Sequence, residues 1–143
     1  MILHTYSDGG ARGNPGPSAI GVVICDEHDQ VLEEHAECIG DGTNNVAEYR
    51  AMLLALDIAK KRGATQLLCT ADSQLLIYQL QGVYRVKHPA LQALMEKVRS
   101  AAKGFEQITW RHVPREHPMI TRADKRLNHA LNRAQAGSPQ GPA

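Results

Sequence analysis

The sequence predicts an α/β fold with a mixed sheet, and the order of its segments is the main reason. Three extended runs come first, after which helical and extended segments alternate. Strands joined by short turns are typical of antiparallel pairing, whereas a strand reached through a helix is typical of parallel pairing. The length of 143 residues suits one domain, which we expect over residues 1–136. The Gly- and Pro-rich residues 137–143 predict a disordered tail.

The first forty residues predict an antiparallel meander of three strands. Residues 2–8 form the first strand, and the Gly- and Pro-rich residues 9–17 predict a loop. Residues 19–25 are β-branched and almost wholly apolar, as in a strand that is buried on both faces. Residues 26–29 predict a turn, and the loose alternation of residues 31–39 predicts an edge strand.

A long helix is predicted over residues 45–62, where Gly63 ends it after a basic last turn. Glu48 shares one stripe of this helix with Ala51 and Ala55. Small residues on a stripe indicate close approach to a sheet. We therefore expect Glu48 to point toward the sheet and not into open solvent.

The rest of the chain predicts two strands and three helices. In order, these are a strand over 66–71, a helix over 73–81, a helix from Pro89 to Gly104, a strand over 106–113, a loop over 114–120 and a helix over 121–136. Since the strand over 66–71 follows a helix, we expect it to run parallel to the first strand.

The overall composition excludes some classes of protein and leaves others open. The 16 Lys and Arg residues nearly balance the 15 Asp and Glu residues, so a polyanion must meet local positive charge or bound metal. The three cysteines form no CxxC pattern and predict a reducing, cytoplasmic location. No signal peptide pattern is visible, and no window approaches the roughly 18 apolar residues of a membrane span. We expect a monomer with no membrane and no obligate protein partner.

Four carboxylates lie at the edges of the predicted elements. Asp8 closes the first strand and Asp72 closes the fourth, so parallel pairing would place them side by side. Glu48 lies in the opening turns of the long helix, and Asp124 lies in the first turn of the last helix. Converging carboxylates repel one another unless a cation neutralises them, and oxygen ligands suit Mg²⁺. The pattern indicates metal-dependent phosphoryl chemistry.

Each carboxylate also has a local explanation. These are an Asx turn for Asp8, an N-cap for Asp72, and capping boxes that begin at Asn45 for Glu48 and at Thr121 for Asp124. Capping predicts scattered, exposed acids, whereas a site predicts converging ones. The predicted topology favours a site.

Five segments resemble the ribonuclease H type 1 family over about residues 1–134. They are Tyr6–Gly10, Gly13–Pro17, Thr43–Tyr49, Ala71–Leu75, and Val113–His117 followed by Ala123 and Asp124. The resemblance implies a ribonuclease H-like fold, a five-stranded mixed sheet with three antiparallel and then two parallel strands. It also implies hydrolysis of the RNA strand of RNA–DNA hybrids, which leaves 5′-phosphate and 3′-hydroxyl ends.

The resemblance also implies the residues of the site. Asp8, Glu48, Asp72 and Asp124 match the family's catalytic carboxylates, which hold two Mg²⁺ ions, and Mn²⁺ is a chemically similar substitute. His117 matches a residue linked to proton transfer or product release. Glu116 competes for that role, and both residues could instead be solvated loop residues.

Substrate contacts are implied as well. Gly10, Asn14, Asn44, Asn45 and Gln74 match positions that meet the minor groove of the hybrid, where 2′-hydroxyls distinguish RNA from DNA. Thr43 matches a residue that binds a DNA-strand phosphate. In contrast, Asp41 stands where the family often has Arg, and the brief segment 82–89 has no basic protrusion. We therefore expect hybrid binding that is weaker and more salt-sensitive than that of relatives with a basic protrusion, with a salt dependence set by few phosphate contacts.

Three functions are compatible with these residues. The first is a hybrid-specific endoribonuclease. The second is a broader ribonuclease H-like nuclease that also cleaves double-stranded RNA. The third is a hybrid-binding module without catalysis, which would have little reason to keep four acids near a phosphate backbone.

Overall fold

The computed structural model describes residues 1–136, and the predicted tail lies outside these residues. The elements are β1 (Ile2–Ala11), β2 (Gly16–Asp26), β3 (Val31–Gly42), α1 (Asn44–Lys61), β4 (Gln66–Ala71), α2 (Gln74–Leu80), α3 (Pro89–Ala102), β5 (Gln107–His112) and α4 (Pro118–Ala136). All of the predicted strands and helices are present in the predicted order.

The five strands form one mixed sheet in the order β3-β2-β1-β4-β5. The β1–β2 and β2–β3 pairs are antiparallel, and the β1–β4 and β4–β5 pairs are parallel. This confirms the predicted mixed sheet of three antiparallel and then two parallel strands. It also confirms that β3 lies at an edge and that β4 runs parallel to β1.

Helices cover both faces of the sheet, which explains the apolar composition of β2. Val22 and Ile24 pack in the core beneath α1, whereas Val23 and Cys25 pack against the first turns of α4. Alternate residues of a strand point to opposite faces. Because β2 is covered on both faces, its residues are apolar at successive positions, as predicted.

The predicted loop over residues 9–17 is wrong at both ends. β1 continues through Ala11 and β2 begins at Gly16, with Gly9 paired to Ile20 and Gly10 paired to Ala19. A Cβ on Gly9 would overlap the carbonyl of Ala47 in α1. The glycine is therefore explained by close packing of a helix on the strand, and not by a turn.

Helix α4 begins three residues before its predicted start at Thr121. Pro118 is its first residue, a position where proline is tolerated because no intrahelical N–H is needed there. The Nδ1 atom of His117 accepts a hydrogen bond from the Met119 N–H (3.2 Å), and the His117 carbonyl accepts one from the Thr121 N–H (2.9 Å). The prediction that Asp124 lies in the first turn, within a capping box, is therefore wrong.

The caps of α1 and α2 also differ from the local explanations of Glu48 and Asp72. Thr43 caps α1 by accepting the Val46 N–H, and Ser73 caps α2 by accepting the Leu76 N–H. Neither Asn45 nor Asp72 serves as the N-cap. The carboxylates of Glu48 and Asp72 are thus not used in these caps.

The connection between α2 and α3 is short, as expected for a chain without a basic protrusion. Residues 81–88 contain turns and bends but no helix. Within residues 1–136, no helix combines the length and the apolar character needed to cross a bilayer. Cys25, Cys38 and Cys69 are all free thiols; Cys25 and Cys69 are buried, and Cys38 is exposed.

Candidate active site

Asp8 and Asp72 lie together at the carboxyl end of the parallel ladder between β1 and β4. The last residue pair of this ladder joins Ser7 to Ala71, and each aspartate is the next residue along its chain. β1 continues to Ala11, but its pairing with β4 ends here, so the two aspartates follow paired residues of neighbouring parallel strands and lie side by side. Both aspartates are half-buried.

Glu48 approaches this edge from α1. The Cβ position that Gly9 lacks is only 2.6 Å from the backbone nitrogen of Glu48, so the helix backbone lies directly on the strand. The hydroxyl of Ser73 accepts the Leu76 N–H (3.1 Å) and forms a hydrogen bond with the Glu48 carboxylate. Ser73 thus caps α2 and favours the ionised form of Glu48.

Asp124 approaches from α4 on the opposite face of the sheet. Gly21 pairs with Asp8 across the β1–β2 ladder, and a Cβ on Gly21 would overlap the carbonyl of Ala123. This close approach places the second turn of α4 beside β1. Asp124 lies within hydrogen-bonding reach of Asp8.

The four carboxylates line one open cavity of about 570 Å³, together with Asn44, Arg115, Glu116 and Thr121. Two glycines allow the two helices to approach the sheet from opposite faces, and the acids meet at the strand ends. The structure therefore brings together the four acids that the sequence predicts to converge. Their roles in catalysis and metal binding stay predictions.

Burial and mutual repulsion change the acidity of this cluster. Burial, reinforced by the charges of Asp72, Asp124 and Glu48, raises the pKa of Asp8 from 3.8 to about 9. Burial also raises the pKa of Glu48 to about 7, against the hydrogen bond from Ser73.

The pKa of Asp72 is raised by burial too. The hydrogen bond with Asp8 and the positive charge of Arg115 oppose this increase. Three of the four carboxylates therefore have a raised pKa, because burial and neighbouring negative charges disfavour their ionised forms.

The donor chemistry of the cavity suits a hard divalent cation. All four acids offer oxygen atoms, which Mg²⁺ and Mn²⁺ prefer, and a bound cation would stabilise the ionised forms that burial disfavours. Among residues 1–136, no three His, Cys, Asp or Glu side chains form a ready-made metal cage. The fit rests on the oxygen donors and on the raised pKa values of three of them.

His117 does not line the cavity. It caps α4, and its ring stacks on Tyr6 with the ring centroids 5.3 Å apart. Tyr6 is fully buried and donates a hydrogen bond to Asp29 (2.7 Å). Glu116 lines the cavity instead and is exposed. The position of Glu116 makes it the nearer candidate for proton transfer.

Two of the predicted substrate-contacting residues are linked to one another beside the cavity. Asn44 accepts the Ala11 N–H on its Oδ1 atom (2.8 Å), and Asn14 accepts the Asn44 N–H (3.0 Å). Thr43 caps α1 through its hydroxyl (3.2 Å). These bonds hold the β1–β2 loop against the start of α1.

The other residues that are predicted to contact the substrate make fewer hydrogen bonds within the protein. Asn45 and Gln74 are exposed, and Gln74 donates to the Tyr78 hydroxyl (3.2 Å). Gly10 lies in β1 and is half-buried. Asp41 is exposed in β3, opposite Pro17.

The predicted site missed Ser73 and Arg115. Ser73 directly follows Asp72, and a serine before a helix was a visible capping signal. Arg115 was visible only as one residue of the motif before the last helix. Its place in the cavity depends on the tertiary fold.

Comparisons with known proteins agree with this geometry. A family model described as reverse transcriptase-like matches residues 6–125. A ribonuclease HI of Halobacterium salinarum is 38% identical over 132 residues, which cover 92% of this chain and 65% of the relative. The chain belongs to the ribonuclease H type 1 family. A bifunctional protein of Mycobacterium tuberculosis is 43% identical over 135 residues, which cover 94% of this chain and 36% of that protein.

Solved structures of the ribonuclease H type 1 family support the same assignment. The ribonuclease H1 of Halobacterium salinarum has a TM-score of 0.90 at 37% identity, covering 94% of this chain and 100% of that chain. LC11 ribonuclease H1 in complex with an RNA/DNA hybrid has a TM-score of 0.87 at 40% identity, covering 93% of this chain and 99% of that chain. The chain spans about a third of the length of the mycobacterial relatives that it matches.

Proposed function

We propose that the chain is an endoribonuclease that hydrolyses the RNA strand of RNA–DNA hybrids. The observation that carries this proposal is the convergence of Asp8, Glu48, Asp72 and Asp124 in one cavity. Family membership and the relative solved with an RNA/DNA hybrid support it. The products would carry 5′-phosphate and 3′-hydroxyl ends.

The four carboxylates would hold two Mg²⁺ ions, with Mn²⁺ as a substitute. Ions of this kind, when bound, activate a water molecule and stabilise the leaving 3′-oxygen of an in-line displacement. The Ser73 hydroxyl favours the ionised form of Glu48, which is the form that binds a cation. The guanidinium of Arg115 offsets part of the negative charge around Asp72.

Proton transfer to the leaving oxygen is assigned to Glu116. It lies in the wall of the cavity, whereas His117 is engaged in the α4 cap and in the stack on Tyr6. In this proposal His117 acts indirectly, because it holds the start of the helix that carries Asp124. Product release through movement of His117 is the competing role.

Substrate recognition would come from neutral polar groups beside the cavity. The side chain of Asn14 accepts a hydrogen bond from the Asn44 N–H, which orders both residues. Asn45 and Gln74 are exposed. Amide groups can donate to and accept from a 2′-hydroxyl, which DNA lacks. Thr43 and the backbone of Gly10 complete the proposed set of contacts.

Location and assembly are also proposals. Three free thiols suit a reducing cytoplasm, and we propose a monomer. These features are independent of the site.

Cleavage of end-labelled duplexes tests the proposed function. RNA–DNA, RNA–RNA and DNA–DNA duplexes of one sequence are incubated with the protein in Mg²⁺ and in Mn²⁺. We expect cleavage of the RNA strand of the hybrid, with products that a 5′-phosphate-dependent exonuclease degrades. Comparable cleavage of double-stranded RNA would support the broader nuclease, and hybrid binding without any cleavage would support the binding module.

A further inference from the structure

The guanidinium of Arg12 lies on α4 and is held by amide groups. Its Nη2 atom donates to the Asn132 Oδ1 atom at 2.6 Å, and to the carbonyl and Oδ1 atoms of Asn128 at 3.3 and 3.4 Å. Its Nη1 atom donates to the side chain of Gln135. Three side chains on one helix therefore fix the orientation of this arginine.

All of these partners are neutral. Three other arginines are instead paired with acids: Arg62 with Glu33, and Arg122 and Arg126 with Glu34. None of the ion pairs within residues 1–136 includes Arg12. Amide oxygens orient a guanidinium but do not cancel its charge, so Arg12 keeps a full positive charge.

This charge lies along the helix face that carries Asp124. Asn128 donates to the Asp124 carbonyl (3.0 Å), and Asn132 follows one turn later. Residues four apart lie on one face of a helix, so Asn128 and Asn132 are roughly 6 and 12 Å beyond Asp124 along the axis. Phosphates of one strand are spaced at about 3.4 Å along a duplex axis, so these distances correspond to about two to four nucleotides.

Arg12 is also connected to the loop beside the cavity. Its neighbour Ala11 donates to Asn44, and Asn44 donates to Asn14. The arginine therefore stands between α4 and a loop that is proposed to contact the hybrid. A strand that crosses the carboxylates along this side would pass the guanidinium.

We propose that Arg12, with the amides of Asn128 and Asn132, forms a subsite for a backbone phosphate that flanks the cleaved one. This subsite rests on the proposed function. The guanidinium supplies a charge-assisted donor, and the amide nitrogens supply neutral donors. A positively charged side chain is needed at this place to attract a phosphate, because the chain has a net charge of only +1 and the neighbouring cavity is acidic.

The competing explanation is that Arg12 only anchors the loop to α4. Both explanations predict weaker hybrid binding when Arg12 is replaced. They differ in the predicted salt dependence of binding. Loss of a phosphate contact reduces the magnitude of the slope of log K against log [salt] by about one, whereas displacement of the loop does not.

Hybrid binding is measured by fluorescence anisotropy across a KCl series at fixed Mg²⁺. The full chain carries Asp72→Asn, which is designed to prevent cleavage. We expect Arg12→Gln to lower affinity about 5- to 10-fold near 0.1 M salt and to reduce the slope by about one. Arg133→Gln is the matched control, since it removes one exposed positive charge from the same helix. It should change the slope much less.

Two further variants separate charge from anchoring. Arg12→Lys keeps the charge without the planar fork, and we expect it to retain the slope. Asn132→Asp places a carboxylate on the guanidinium, which should raise the melting temperature and yet weaken hybrid binding. Tighter or unchanged binding by Asn132→Asp would overturn the proposal.

The outcomes also separate this subsite from the proposed function. If Arg12→Gln lowers the melting temperature and leaves the slope unchanged, or if Arg133→Gln lowers the slope equally, the subsite is wrong and the function stands. If the Asp72→Asn protein binds no hybrid at any salt concentration, the proposed function fails and the subsite falls with it.

Discussion

Asp8, within β1, and Asp72, the residue that follows β4, each lie one residue beyond the Ser7–Ala71 pair that ends the parallel ladder. The pairing of the two backbones therefore sets the positions of these two acids. Glu48 and Asp124 are then added from helices on opposite faces of the sheet. The cost is electrostatic, since burial and repulsion raise the pKa of Asp8 to about 9.

Asp8→Asn is expected to stabilise the metal-free protein while it abolishes cleavage. A carboxyl whose pKa rises from 3.8 to about 9 on folding contributes stability below pH 4, and that stability is lost as pH rises toward 9. We expect a gain of about 1–2 kcal/mol at pH 7.5, because relaxation and solvent screening reduce the full effect.

Thermal unfolding in EDTA at pH 4.5 and at pH 7.5 measures the effect of Asp8→Asn. The gain should be larger at the higher pH. The exposed Glu106→Gln variant is the control and should change stability little at either pH. Equal melting temperatures of Asp8→Asn and the parent protein at pH 7.5 would show that the acids do not repel as described.

Ser73→Ala removes two interactions at once. The loss of the α2 N-cap should destabilise the protein by about 1 kcal/mol. The loss of the hydrogen bond to Glu48 should raise the pKa of Glu48 further, since that bond lowers it. We expect the pH–rate profile at subsaturating Mg²⁺ to shift toward higher pH, because protonation of Glu48 competes with metal binding. Ser73→Thr keeps the hydroxyl and should retain the parent profile, so a similar shift in both variants would argue against this role.

Gly9 and Gly10 form a matched pair for the packing of α1 on β1. A Cβ on Gly9 would overlap the backbone of Ala47, whereas a Cβ on Gly10 would lie 3.8 Å from Leu127, an ordinary contact. Overpacking against a helix backbone typically costs about 1–3 kcal/mol or more. Chemical denaturation should show that loss for Gly9→Ala and less than about 1 kcal/mol for Gly10→Ala. Similar losses of unfolding free energy for the two variants would indicate that α1 lies farther from β1 than described.

We expect substitution of Glu116 to lower activity and substitution of His117 to lower stability. Glu116→Gln should lower kcat by about 10²-fold, the lower range for a general acid, with an unchanged melting temperature. His117→Ala should lower stability by about 1 kcal/mol through loss of the α4 cap and the stack on Tyr6. The opposite result, in which His117→Ala loses kcat and stays fully stable, would return the proton-transfer role to His117.

The sequence was sufficient to predict the arrangement of the strands and the convergence of the four acids. The pairing of Asp8 with Asp72 followed from one inference, namely that a strand reached through a helix runs parallel. The bounds of β4 were predicted correctly because its apolar run ends abruptly at Asp72.

Errors arose where a residue is explained by a tertiary contact. The sequence pattern predicts a loop at Gly9 and Gly16, yet Gly9 lies in β1 and is required by the approach of α1. The pattern also predicts a loop at Pro118, yet Pro118 begins α4, so Asp124 lies in the second turn. The hydrogen bond from Ser73 to Glu48 and the contacts of Arg12 on α4 join residues far apart in sequence, so no local pattern could predict them.

The most direct test compares cleavage and binding of one RNA–DNA hybrid by the parent protein and by Asp72→Asn. Cleavage is followed in Mg²⁺ on a labelled RNA strand, and binding is followed by anisotropy without divalent ions, so that the parent protein does not cut the hybrid during the measurement. We expect Asp72→Asn to lose about 10³-fold or more in cleavage rate, since a catalytic metal contributes several kcal/mol, and to bind the hybrid at least as tightly as the parent protein does. Cleavage by Asp72→Asn at the parent rate would contradict the assignment of the carboxylate cluster as the catalytic metal site.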